Sequence, residues 1–188
     1  MGSSTMKHKA ARLAMVTAGS AFMAGLAFLN QGDVHAIGGL CNGRPASHTW
    51  LDASGQYGPA VIDGTRNGDV IIGSDGDDVI DGRGGDDFIC GGPGNDSIDV
   101  GPGGDSVVRG DTGDDDLSAH RVHSVTMVGD GGDDTLYVAD TAATSYLIGG
   151  SGDDVLIHNG GGHVKLDGGV DFDDCLMDGG DEVLNCEY

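Results

Sequence analysis

Positive charge is what this chain has least of. Nine Lys and Arg stand against 31 Asp and Glu in 188 residues, a formal net charge of −22. A nucleic-acid surface needs a basic face, so the balance argues against DNA or RNA as partners. Aromatic residues make up only 5% of the chain, so the large side chains that dominate most cores are scarce. Catalytic signatures are missing as well: there is no Gly-x-Ser-x-Gly elbow, no His-Glu-x-x-His pair and no Gly-Lys-Ser/Thr phosphate loop. The four cysteines include no Cys-x-x-Cys pair, which argues against zinc. His120 and His123 are three apart, and in extended backbone that spacing sends them to opposite faces rather than to one metal. The chain is therefore expected not to be an enzyme. It is also expected to repel itself unless cations neutralise it.

What the chain does have is glycine, 37 residues of it, in phase with aspartate. Gly91-Gly92-Pro93-Gly94-Asn95-Asp96-Ser97-Ile98-Asp99 reads Gly-Gly-x-Gly-x-Asp-x-U-x, with U a large apolar residue. The same frame fits residues 73–81 and 82–90, and more loosely 64–72 and 100–108. With Arg109 taken as one extra residue, it fits 110–118 again. Further copies stand at 129–137 and 149–157, and 168–173 is a degraded one with Asp171 in place of the second-half glycine. A disordered acidic linker would explain the composition but not the phase, because Ile, Leu or Val stands two residues after nearly every motif aspartate. The set expected to point inward is Ile71, Ile80, Ile89, Ile98, Val107 and Leu117. Roughly one apolar residue per nine suits a thin solenoid whose coils stack on their neighbours.

In these repeats the chain resembles the secreted bacterial RTX-type (hemolysin-type) calcium-binding proteins, over residues 63–174. The resemblance implies an all-β fold, a right-handed parallel β-roll running into a β-helix. Two nonapeptides make one coil, and each calcium ion lies between turns stacked on the same edge. Calcium takes about 6–8 oxygen ligands. The aspartate at position six offers a carboxylate, and glycines permit the tight turns that aim carbonyl oxygens at one point. Turns that share an ion then stand about 18 residues apart. Sorted this way, one column of ligands is Asp69, Asp87 and Asp105. The other is Asp78, Asp96, Asp115, Asp134 and Asp154, extended to a degraded site at Asp173, in steps of 18 to 20 residues. Carbonyl ligands are expected from Gly76, Gly85, Gly92, Gly94, Gly103, Gly113, Gly132, Gly150 and Gly152. The first column loses its motif after Asp105, so one edge is long in calcium and the other short.

Residues 1–36 read as a secretory signal. Lys7, Lys9 and Arg12 form the basic region, Leu13 to Leu29 is apolar, and Val34-His35-Ala36 offers a small-x-small cleavage site. An uncleaved anchor is the alternative. Residues 37–62, with Trp50, Leu51, Tyr57 and Val61, are expected to cap the first coil, and 175–188 the last. An even cysteine count behind an export signal favours two disulfides, with three possible pairings. The pairing expected is Cys41–Cys90, tying the first cap to the third repeat, with Cys175–Cys186 closing the C-terminal end. Small secreted proteins similar to this one carry cysteines in like positions.

The resulting expectation is a secreted, extracellular monomer that binds several Ca2+ ions and folds on binding them, free of the membrane once the signal is removed. Two other classes fit less well. An adhesion or matrix protein would present a calcium-stiffened face to a cell-surface or glycan partner. A β-helix enzyme acting on polysaccharides would need a basic cluster near the ions, for which Arg109, Arg121 and Lys165 are the candidates.

Overall fold

The computed structural model describes residues 58–187 together with 40–41, 44–45 and 48–49. The expected signal segment, its cleavage site, and Trp50, Leu51 and Tyr57 of the first cap lie outside the described residues.

A turn in every nonapeptide leaves room for only a short extended run, and the runs pair with those one coil away. Among the described residues all regular structure is strand. An eight-stranded parallel sheet is formed by His48–Thr49, Val70–Ile72, Phe88–Pro93, Asp105–Thr112, Ser124–Gly131, Thr144–Ser151, His163–Val170 and Glu182–Leu184. A seven-stranded parallel sheet is formed by Val61–Asp63, Val79–Asp81, Ser97–Asp99, Asp116–His120, Thr135–Ala139, Val155–Asn159 and Asp174–Leu176. The strands alternate between the two sheets along the chain, so each coil gives one strand to each. This is the expected all-β parallel solenoid of two nonapeptides per coil.

The core lies between the sheets as two stacks of identical placement. One runs Ile71, Ile89, Val108, Met127, Leu147 and Leu166. The other runs Ile62, Ile80, Ile98, Leu117, Leu136, Leu156 and Cys175. All are buried. Early strands such as Val79–Asp81 have 3 residues, whereas Thr144–Ser151 has 8. The longer strands add Val125, Val138 and Val164 to the interior, so later coils have the thicker core of a β-helix and lean less on the turns.

Register corrects one expectation. Val108, not Val107, pairs with Ile89 and is fully buried. The extra residue is therefore not Arg109. Gly104 lies over Gly85, Pro102 lies over Gly84, and Gly103 has nothing above its α-carbon. The insertion sits in that turn, at Gly103. Alternation then puts Ser106 inside with Val108 and leaves Asp105 exposed.

Both expected disulfides are present, Cys41–Cys90 and Cys175–Cys186, with Cα separations of 5.6 and 5.9 Å. The terminal segments also continue the stacking. His48–Thr49 pairs with Val70–Ile72, and Glu182–Leu184 pairs with His163–Val170. Ile62 joins the core while Val61 points to solvent. At the C-terminal end His158 and Asp181 form a buried pair, Nδ1 to Oδ2 at 2.6 Å, and the other oxygen of Asp181 accepts the Val164 N–H. Replacing Cys175 and Cys186 together by serine is expected to free the C-terminal end and to cost up to about 2–5 kcal/mol of the stability of the calcium-bound fold, less where calcium already holds the coils above. A denaturant titration in calcium checks this.

Candidate metal centre

The turns of the long edge carry a ladder of carboxylates. The N–H of Asp78 donates to Oδ1 of Asp96, 18 residues on, at 2.8 Å. Asp96 donates to Asp115 at 2.7 Å, Asp115 to Asp134 at 2.8 Å, Asp134 to Asp154 at 2.8 Å and Asp154 to Asp173 at 3.0 Å. The sequence column through Asp78 is thus one physical row, one aspartate per coil. All six carboxylates are at most 2% exposed.

One oxygen of each rung is used in this way; the second is not. Oδ2 of Asp96, Asp115, Asp134, Asp154 and Asp173, and of Asp87 on the other edge, is buried with no hydrogen-bond partner. A buried anion without compensation is costly, and burial raises the pKa of such a carboxyl. Burial lifts the carboxyls of Asp96, Asp115 and Asp134 from 3.8 to about 7, and those of Asp87 and Asp154 to about 6. The backbone N–H bond to each pulls the other way, and the neighbouring carboxylates push up again. The first rungs differ. Oδ2 of Asp78 accepts the Ser74 N–H, and Oδ2 of Asp69 accepts the N–H and hydroxyl of Thr65.

Glycine is required here for two separate reasons. A side chain at Gly110 would collide with Oδ2 of Asp115 and the carbonyl of Gly129. The α-carbon is thus the floor on which the spare carboxylate oxygen rests. Gly132, by contrast, needs its left-handed φ of +133° to turn the chain. Of the glycines expected to give carbonyl ligands, all but Gly76 have positive φ. Gly94, Gly113, Gly132 and Gly152 stack in one row, each carbonyl facing the α-carbon above. Gly92 and Gly150 belong to a second row.

On the short edge the Asp69 N–H donates to Asp87 Oδ1 at 2.9 Å, and the Asp87 N–H then meets Ser106 Oγ at 3.1 Å. Ser145 takes the same role for Val125. Asp105 therefore leaves the column: it sits one position earlier, with its N–H on Asp86 and its carboxylate on the Ser124 hydroxyl. Gly103 leaves with it, as the inserted residue. A serine hydroxyl satisfies the backbone but brings no charge, so the row of charged rungs ends at Asp87, one coil earlier than expected.

Three features were not anticipated. Asp111 and Asp130 occupy the second-glycine row with φ of 80° and 77°, and the Arg109 Nε holds Asp130 Oδ2 at 2.8 Å. A second, exposed ladder runs beside the first, from Asp77 through Asn95, Asp114, Asp133 and Asp153. Glu187 accepts the N–H of Asp173. The paired Asp-Asp steps of the repeats hinted at the exposed ladder; nothing periodic hinted at Glu187. The two histidines have different neighbours, with the His120 ring against Tyr137 and His123 facing Asp105.

Among the described residues no three carboxylate, imidazole or thiolate groups converge on one point. The oxygens that gather are single carboxylates from successive coils plus main-chain carbonyls. An all-oxygen set with surplus negative charge suits a hard cation such as Ca2+ rather than Zn2+ or Cu2+. Each of the six buried oxygens lacking a partner suits such an ion. Bound there, it would supply the positive charge that the ladder lacks.

A parallel solenoid whose turns stack buried carboxylates in this way is a cation-binding repeat protein. The family of the RTX calcium-binding nonapeptide repeat (4 copies) matches residues 63–98, 126–140 and 141–162. Over those stretches the chain carries RTX-type calcium-binding repeats. No curated protein and no solved structure matches it. Among the described residues no helix is long and apolar enough to cross a membrane.

Proposed function

We propose that this is a secreted, extracellular, non-enzymatic protein whose repeats bind several Ca2+ ions and fold on binding them. The carboxylates of Asp78, Asp87, Asp96, Asp115, Asp134 and Asp154 are the side-chain ligands of this reading, with Asp69 the least engaged. The glycine rows through Gly94 and Gly92 give carbonyl oxygens. The observation that carries it is the run of buried Oδ2 atoms without partners, since a fold that stacks them unneutralised works against itself. Disulfides and an export-like N-terminal sequence agree with an oxidising exterior. Of the basic residues that an enzyme acting on acidic polysaccharide would use, Arg109 is held by Asp130 and Lys165 by Glu182 at 2.7 Å.

Extracellular calcium modules bind at about 10⁻⁴–10⁻³ M, so the repeats are unfilled in a calcium-poor cytoplasm and filled outside. Circular dichroism with a calcium titration and a magnesium control tests this. A sigmoidal gain of β signal with calcium and little response to magnesium is expected. Full β signal in chelator would leave calcium as decoration on an independently stable fold.

A further inference from the structure

The ladder does not stop at the last repeat turn. Asp173 is fully buried, its Oδ1 accepts the Asp154 N–H, and its Oδ2 has no partner. Its own N–H donates to Glu187 Oε2 at 2.8 Å, and the Glu187 N–H donates back to its carbonyl at 2.8 Å. The carbonyl of Asn185 lies over Gly168, where the carbonyl of Gly168 itself lies over Gly149. The tail Asn185-Cys186-Glu187 thus imitates a repeat turn in fewer residues. Asn185 replaces the first glycine, and the longer glutamate side chain spans what the rest of the turn would have spanned.

The two ends of the ladder are closed by opposite chemistry. At the N-terminal end Asp78 meets donors, the Ala60 and Ser74 amides and the Ser74 hydroxyl. At the C-terminal end the closing group is a second carboxylate, set next to a buried oxygen that already lacks a donor. Hydrogen bonds cannot neutralise that arrangement, but a hard cation can. We infer that Asp173, Glu187 and the Asn185 carbonyl form a terminal cation site that clips the C-terminal tail to the last coil. It rests on the calcium-binding reading above, and it lies beyond the repeats that the family match covers. Cys186, bonded to Cys175, holds the tail in place for it. Glu187 is solvent-exposed, so the ion keeps some water there and fills after the inner sites.

The test is native mass spectrometry of the full chain at saturating calcium, wild type against Glu187→Gln, with hydrogen exchange of the Asp173 amide. Glutamine keeps an oxygen for that amide but no charge, so a purely structural role of Glu187 survives the change. The expected result is one ion fewer and exchange at Asp173 faster by about tenfold, with Asp115 unaffected. An unchanged ion count overturns the terminal site while leaving the repeats as calcium binders; a wild-type count of zero overturns both. Should the variant not fold, the wild-type chain decides: an Asp173 amide that gains no protection on adding calcium overturns the site.

Discussion

Asp115→Ala is expected to raise the calcium concentration needed for folding by more than about tenfold, while Asp105→Ala leaves it within about twofold. Asp115 stands mid-ladder. Its Oδ1 caps the Asp96 N–H and its Oδ2 rests unpartnered on Gly110. Alanine strands a buried amide, at about 1–3 kcal/mol, and removes a charge that the adjoining cations require. About 1.4 kcal/mol per factor of ten sets the midpoint shift. Asp105 carries the same motif aspartate in the sequence, yet its side chain is 64% exposed and bonded to Ser124. A calcium titration of the two variants side by side checks the register as well as the ligand role. Equal shifts would mean that Asp105, not Ser106, belongs to the column.

The second large effect is an inversion of pH dependence. In the folded, calcium-free chain, burial holds Asp96, Asp115 and Asp134 near 7 instead of 3.8. The folded state then binds more protons than the unfolded state between those values. Stability of the calcium-free fold is therefore greatest below the unfolded pKa and is lost as pH rises through about 7. Each such carboxylate contributes on the order of 4 kcal/mol of destabilisation at pH 8, less where protonation of one relieves its neighbour. With calcium the sign reverses: protons compete with the ion, so acid weakens the fold. In chelator, β signal is expected to rise as pH falls from 8 to about 5; in calcium at a fixed, near-midpoint concentration it is expected to fall over the same range. Parallel pH curves in the two conditions would mean that the ladder carboxylates are not what calcium neutralises.

Much of this was legible because the repeat fixes geometry residue by residue. The nine-residue phase placed Ile71, Ile80, Ile89, Ile98 and Leu117 in the core, and the coil length placed Asp78 beside Asp96 rather than Asp87. The error at Asp105 arose where the sequence is degenerate. Gly103-Gly104 offers two glycines for one place, and Val107-Val108 offers two valines for one inward position. Side-chain identity cannot resolve such a slip; strand alternation against Ile89 can. The second glycine row was misleading in another way, since Asp111 and Asp130 adopt the left-handed turn that the motif reserves for glycine. Contacts made once, such as His158 with Asp181 and Glu187 with Asp173, had no periodic signal to betray them.

Above neutral pH, where its carboxylates are charged, the ladder is formed only when a cation neutralises it. Hydrogen exchange of the Asp96, Asp115, Asp134 and Asp154 amides, measured near pH 7.5 with calcium and with chelator, tests it most directly, since each of these N–H groups is bonded to the next carboxylate along the row. Strong protection in calcium and near-unprotected rates in chelator are expected, changing together along the row. Amides equally protected in both conditions would contradict it.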